Sequence, residues 1–484
     1  MTQLHTHAAD SDGAEPSGQP VALAPRAEER PGGPIERVMS TVIRKLAWSK
    51  LSNPAVAVSV SGAGLLLGML VGATAPNTET LPVKLPLSRF LPSLAHDDAV
   101  AMALLYTAAI LSCLGLAGML WAHSQGWRPN PRRLLLVSAG IVAVMVSLTP
   151  VGSSDIASYA AYGRIAALGG NPYIKNPAGF LGAHSPYTHA VGAVWKGQPS
   201  VYGPIATAVQ WFAAWVGGSS VTTTIWLLMI INGAVFIGLG FLLLKTSDDP
   251  VRATLFWAAN PVLLLELVAG GQIDTFVAAA AICAIQVARR FSGKWADVAV
   301  GLLIGLGCGI KVNAVLIGVG LAFPLLRRRE WMRAARMAAV ALATVAVEYS
   351  FAGLNALKPV IGGTRWVIMP SPWRLFQMAA EALGVGEPTT SVVITCLWPI
   401  AMLVVAWLIY QRISSDQPRE IVAPFALAFA WVIVAPWVFA WYTALAWATL
   451  TLVPRNRMTR WLTIVTVFLA LWLSGGGQTP PGRL

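Results

Sequence analysis

Apolar runs of about 20 residues, the length an α-helix needs to cross ~30 Å of hydrocarbon, recur along the chain and are repeatedly closed by Arg or Lys. The pattern predicts membrane helices near 55–75, 100–121 and 134–151, then near 221–244, 253–270, 275–290, 334–354, 391–411, 421–435, 437–454 and 461–474. Lys294 and Arg327 both fall in basic turns expected on one side, so the residues between them must cross an even number of times. Two short segments meeting near Lys311 are predicted there. The fold class is therefore all-α, a polytopic transmembrane helical bundle of about 11 to 13 helices.

The polar remainder divides the chain. Residues 1–35 are rich in Ala, Gly, Pro and Glu without apolar periodicity. They read as a disordered cytoplasmic tail and not as a signal peptide, because no apolar stretch follows the first residues. The membrane body covers 36–474, and 475–484 reads as a flexible C-terminal tail. Two polar segments interrupt the body, 152–204 and 355–390. The first is the longest stretch without a spanning run; its aromatic residues and its Asn-Pro and Gly-Pro turn signals predict an ordered loop with a function.

Composition sharpens this picture. The chain is 56% hydrophobic and 11% charged, with a mean hydropathy of +0.63, against roughly 25% charged residues in soluble domains. A net charge of +13 would suit nucleic acid, but no basic amphipathic helix, zinc-ligand spacing or RNA-binding signature accompanies it, so nucleic acid is not an expected partner. The charge instead collects in alternate short loops, around Arg44 and Lys45, Arg132 and Arg133, Arg289 and Arg290, Arg327 to Arg329, and Arg455 and Arg457. By the positive-inside rule these loops face the cytoplasm. That places 152–204 and 355–390 on the extracytoplasmic side of the inner (plasma) membrane. Cys113, Cys283, Cys308 and Cys396 all lie in apolar runs and imply no disulfide framework.

The chemistry-bearing residues gather in the same places. In Ser153-Ser154-Asp155-Ile156-Ala157-Ser158-Tyr159-Ala160-Ala161-Tyr162-Gly163-Arg164, Asp155, Tyr159 and Tyr162 share one face of a helix. Asp155 either takes a proton or merely caps that helix. Glu266, Asp274, Lys311 and Glu348 are ionisable groups within or near apolar runs, expensive in lipid and hence functional candidates. Asp274 either meets sugar hydroxyls or caps a helix, and Lys311 can neutralise one of the buried acids. Arg365 and Arg374 flank Trp366 and Trp373, so they either bind phosphate or anchor the chain among lipid headgroups. Trp431, Trp437, Trp441, Tyr442 and Trp447 either stack on sugars or form an interfacial belt. His184 and His189 make no metal cluster; no metal site or cofactor is predicted, and a divalent-metal requirement stays open.

The run from Asp155 to Arg164, the Gly169-Gly170-Asn171-Pro172-Tyr173 turn and Val201-Tyr202-Gly203-Pro204 resemble the first large outer loop of the actinobacterial polyprenol-phosphate-mannose-dependent α-1,6-mannosyltransferases. These are members of the C-type membrane glycosyltransferases. The likeness extends to Gly270-Gly271-Gln272-Ile273-Asp274, to Lys311 and Asn313, to Ser371-Pro372-Trp373 and to Pro436 through Trp447, with Ile273 and Arg164 departing from the pattern. It implies a bundle of that kind with its large outer loop after the third helix. It also implies mannose transfer with inversion from a polyprenyl-phosphate-linked donor to a lipid-anchored mannan or lipoglycan acceptor, within membrane lipids. Asp155 would be the general base, and one carboxylate can be enough because phosphate leaves with little acid help, unlike the carboxylate pair of glycoside hydrolases. Arg365 and Arg374 would hold the donor phosphate. Tyr159, Tyr162, Arg164, Asn171, Tyr173, Tyr202, Asp274, Trp441 and Tyr442 would bind acceptor or sugar. No Walker A motif, and no Asp-x-Asp motif in a separate soluble domain, points to a nucleotide-sugar donor. The alternatives are a transporter or flippase of polyprenyl-linked sugars, a transferase of another such sugar (arabinose, for example), and a noncatalytic scaffold.

Overall fold

A computed structural model describes residues 53–74, 81–92, 98–363, 366–369, 371–413 and 417–473. The expected tails 1–35 and 475–484, and Arg365, lie outside the described residues. The protein is a polytopic helical bundle, and no strand occurs among the described residues.

Its first pair is α1 (Pro54–Thr74) and α2 (Asp98–Ser124). Small residues bring their backbones together: a Cβ on Gly64 would strike the Ala108 carbonyl and Ser112, and one on Gly115 would strike Ser61. Such small-residue seams replace the hydrophobic driving force that helices lack in lipid. Then follow α3 (Pro131–Met145), α4 (Asp155–Ala167), α5 (Pro204–Gly217) and α6 (Val221–Thr246). The third predicted helix thus ends earlier than 151, and α5 is an element the hydropathy pattern does not announce. Between α4 and α5 the predicted ordered loop holds short helices at Pro177–Leu181 and Pro186–Ala190.

The crossing Pro250–Ala269 is discontinuous. It starts as α7 (Pro250–Phe256), breaks at Trp257, and restarts at Pro261, where the Asn260 side chain accepts from the Val262 and Leu263 N–H groups. It ends in a wide π turn, Leu264–Ala269. The chain then reverses through Gly270-Gly271, with Gly271 at φ +66°, a left-handed conformation that suits glycine. Beyond it lie α8 (Asp274–Arg290) and α9 (Lys294–Cys308). A break at 309–314 separates α9 from α10 (Val315–Arg327), matching the two segments predicted to meet near Lys311. The remainder is α11 (Trp331–Ala352), α12 (Pro372–Ala382), α13 (Glu387–Arg412), α14 (Arg419–Val434), α15 (Thr443–Leu450) and α16 (Met458–Leu473).

Among the described residues, six helices are long and apolar enough to cross a membrane. Their burial ranks them: 83% of Pro250–Ala269 lies inside the protein, against 17% of α11 and 22% of α13. The discontinuous crossing is therefore central and α11 and α13 are peripheral. That crossing packs against α1, α2, α3 and α6.

Candidate active site

The site is built on α4. Ser154 occupies the N-cap position and Asp155 is the first helical residue, so Asp155 is not itself the cap. Every residue from Asp155 to Gly163 is buried. Ala157, Ala160, Ala161 and Gly163 leave room for α5, whose Gln210 backbone passes so close that a Cβ on Gly163 would collide with it. Asp155 itself is 7% exposed. One turn on, the Tyr159 hydroxyl donates to Gln272 Oε1 at 3.2 Å, and its ring meets Tyr202 edge-on at 4.8 Å. Burial first, then the Asp155 carboxylate, hold the Tyr159 phenol well above its ordinary range, and Asp274 adds to the effect. The Tyr202 phenol is raised by burial, by Tyr159 and by Asp155. Both Asp155 and Asp274 thus act on Tyr159, and Asp155 also acts on Tyr202.

The second carboxylate arrives on the Gly270–Asp274 turn. Asp274, only 3% exposed, accepts from Lys311 Nζ with both oxygens, each at 2.9 Å. Ile273, not Asp274, holds the N-cap position of α8. The expected neutralisation by Lys311 is present, and Asp274 is the acid that receives it. The same ammonium sits 3.8 Å from the centre of the Tyr442 ring, a cation–π contact. Tyr442 stacks on Trp431 at 5.0 Å, and Phe439 stacks on Trp441 at 4.5 Å. Acid, base and aromatic faces therefore converge where α4, the Gly270–Asp274 turn, the 309–314 break and the Ala440–Tyr442 turn meet. Such a cluster holds the groups that could present ring faces to a sugar and a carboxylate to its hydroxyls.

Other sequence-predicted residues serve the walls. Tyr162 donates to the Gln198 carbonyl at 3.1 Å. Asn171 donates to the Ala352 carbonyl at 3.0 Å and accepts from the Tyr173 N–H at 2.9 Å, which ties the loop to the end of α11. The Tyr173 hydroxyl bonds Thr207 at 2.7 Å. The Arg164 guanidinium lies 5.9 Å from the Tyr187 ring centre. A chain of indoles, Trp195 to Trp366 at 5.3 Å and Trp366 to Trp437 at 4.9 Å, leads from the loop to the Phe439–Trp441 stack. Arg374 bonds Gln377 at 3.2 Å and Glu381 at 3.5 Å on its own helix, so it is held at the α12 surface. Glu348 is buried, neither carboxylate oxygen has a hydrogen-bond partner among the described residues, and it lies against Gly309. Gln272, the fully buried partner of Tyr159, is a residue that sequence reasoning quoted without assigning. Among the described residues no cluster of three His, Cys, Asp or Glu side chains is placed to hold a metal ion.

Fold and site together define a polytopic helical membrane protein with two buried acids and stacked aromatic rings. Residues 57–327 match the family described as alpha-(1->6)-mannopyranosyltransferase, N-terminal domain. That match takes in more than half of the 484 residues, and the chain belongs to this family. It is 25% identical over 292 residues to a probable alpha-(1->6)-mannopyranosyltransferase of Mycolicibacterium smegmatis, covering 59% of this chain and 47% of that protein. It is 23% identical over 295 residues to alpha-(1->6)-mannopyranosyltransferase B of Corynebacterium glutamicum, covering 57% and 48%. With alpha-(1->6)-mannopyranosyltransferase A of the same organism the identity is 22% over 447 residues, covering 78% and 89%. The chain thus spans about half the length of the first two relatives. No solved structure matches it.

Proposed function

We propose that this chain transfers mannose from a polyprenyl-phosphate-mannose donor to a mannan or lipoglycan acceptor, forming an α-1,6 linkage with inversion. The acceptor oxygen attacks the anomeric carbon, the bond from that carbon to the phosphate oxygen breaks, and polyprenyl phosphate leaves with the bonding pair. The hydroxyl proton passes to Asp155. Phosphate is a good leaving group, so the step needs one base and little acid. Tyr159, Tyr202, Tyr442 and Trp441 surround the reacting sugar, Asp274 fixes the far side of the chamber, and Arg365 and Arg374 meet the phosphate at its entrance. Tyr162, Arg164, Asn171 and Tyr173 shape the acceptor side through the loop. The chamber opens on the extracytoplasmic face of the plasma membrane.

The observation that carries this reading is that Asp155 lies one helical turn before Tyr159, whose hydroxyl bonds Gln272 two residues ahead of the Asp274–Lys311 pair, in a chain of the mannopyranosyltransferase family. Purified protein in liposomes should transfer mannose from synthetic polyprenyl-phosphate-mannose to a short α-linked mannose acceptor, and should ignore polyprenyl-phosphate-arabinose. Preferential transfer of arabinose would change the sugar. The discontinuous crossings, Pro250–Ala269 and the α9–α10 pair, are the features that favour a carrier of lipid-linked sugars. Movement of intact donor across the liposome without transfer would establish that second reading. For orientation, a cysteine at position 171 should react with an impermeant thiol reagent in intact cells and one at position 328 should not.

A further inference from the structure

Non-helical backbone at membrane depth persists only where protein or a water-filled cavity covers it, so the 309–314 break between α9 and α10 is a place to look for a ligand. Its first carbonyls are occupied: Gly309 accepts from the Ile205 and Ala206 N–H groups at 2.8 and 3.2 Å, and Ile310 from Gly203 at 3.0 Å. These bonds dock the Tyr202-Gly203-Pro204 loop onto the break and set it beside the Asp155 chamber. The side chains that follow are provided for differently. Lys311 keeps 15% of its side chain exposed; an ammonium carries three N–H donors, and Asp274 engages it from one side. Asn313 is 6% exposed, yet neither its amide nitrogen nor its amide oxygen has a hydrogen-bond partner among the described residues. A buried amide without partners is costly unless a ligand or water completes it. Val312, Val315 and Val319, all exposed, form a stripe from the break along α10.

We propose that the Lys311–Asn313 turn holds the phosphate of an isoprenoid phosphate. Lys311 supplies the charge, the Asn313 amide a hydrogen bond, and the Val312–Val315–Val319 stripe the first surface for the isoprenoid tail. The inference rests on the lipid-donor reading above and deepens it by placing the phosphate at the reacting end of the chamber, with Arg374 left at its rim. Like-charge repulsion from Asp274 directs the phosphate to the side of the ammonium that Asp274 does not occupy. The start of α10 adds the partial positive charge of a helix N-terminus. Asp274 is then a positioning residue that steers the ammonium, and after transfer the same turn retains polyprenyl phosphate as the product.

The test is binding without chemistry. The full chain in detergent is titrated with polyprenyl phosphate, which carries no sugar, and with the matching polyprenol, which carries no phosphate, using tryptophan fluorescence. Asn313→Asp, and the charge-balanced Lys311→Met/Asp274→Asn double variant, should each raise the Kd for polyprenyl phosphate by about tenfold or more, the scale of a lost charge-assisted contact, and leave polyprenol binding unchanged. Should Asn313→Asp fail to fold, Asn313→Ala replaces it, with an expected loss of about tenfold for one hydrogen bond to an anion. Folded variants that bind polyprenyl phosphate as the parent does, or that lose phosphate and alcohol alike, would overturn the site. A parent chain that does not distinguish the phosphate from the alcohol would overturn the lipid-phosphate reading itself, and the site with it.

Discussion

The two ends of α9 carry ion pairs of the same chemical kind with different consequences. At its start, Asp297 accepts from Arg333 at 3.1 Å and from Arg336 at 3.2 Å, and Arg333 also bonds Glu330 at 2.6 Å. Both arginines are a third exposed, and the cluster fastens α9 to α11. Beyond its other end, Asp274 and Lys311 are 4% and 15% exposed, the Lys311 ammonium faces the Tyr442 ring, and the nearby Asn313 amide has no hydrogen-bond partner among the described residues. The first cluster joins a buried Asp297 to arginines that reach the surface; in the second both partners are enclosed. A charge that holds a fold finds all its partners inside the protein. A charge that serves a substrate leaves one side open.

The sharpest way to break this contrast is to remove one partner at each end. Lys311→Met leaves a buried carboxylate uncompensated and should cost about 3–5 kcal/mol of stability, read as a large drop in Tm in detergent. Adding Asp274→Asn should restore most of the loss; a double variant as unstable as the single one would mean that the pair is not the buried one. At the opposite end, Asp297→Asn should cost about 1 kcal/mol or less, because its partners are partly solvated, and the cost should shrink further in high salt. Equal losses at both ends would dissolve the comparison. The smallest effect on stability is expected for Arg374→Ala, within about 0.5 kcal/mol as for a surface position, while the KM for donor rises. Arg374→Lys should recover charge without the planar fork. Unchanged donor dependence in both would remove Arg374 from the entrance.

Much of the bundle was legible because lipid imposes a strong length rule: α1, α2, α6, α11 and α13 fall close to their predicted spans. The two segments meeting near Lys311 followed from charge parity alone. What the pattern missed is informative. Pro204–Gly217 reads as apolar but is too short to cross, and its buried face consists of Ala206, Gln210, Ala213 and Ala214, which hydropathy does not separate from lipid-facing residues. The break at Trp257 and the π turn at Leu264–Ala269 interrupt a run that looks continuous, since only Asn260 and Pro261 hint at the restart. The pairing of Asp274 with Lys311 joins positions 37 apart in the chain, and no local pattern selects it over Glu266 or Glu348. Asp155 and its tyrosines were readable because they sit on successive turns of one helix.

Asp155→Asn tests most directly whether Asp155 takes the acceptor proton. Ser154 holds the cap position, and Asn caps about as well as Asp in any case, so the substitution should leave α4 intact and remove only the proton acceptor. The measurement is the single-turnover rate of mannose transfer from bound polyprenyl-phosphate-mannose, on protein shown to be folded and to bind donor as the parent does. The rate should fall by about 10² to 10⁴-fold, the usual contribution of a general base. A rate close to that of the parent chain would contradict that role and move the search for the base to Asp274.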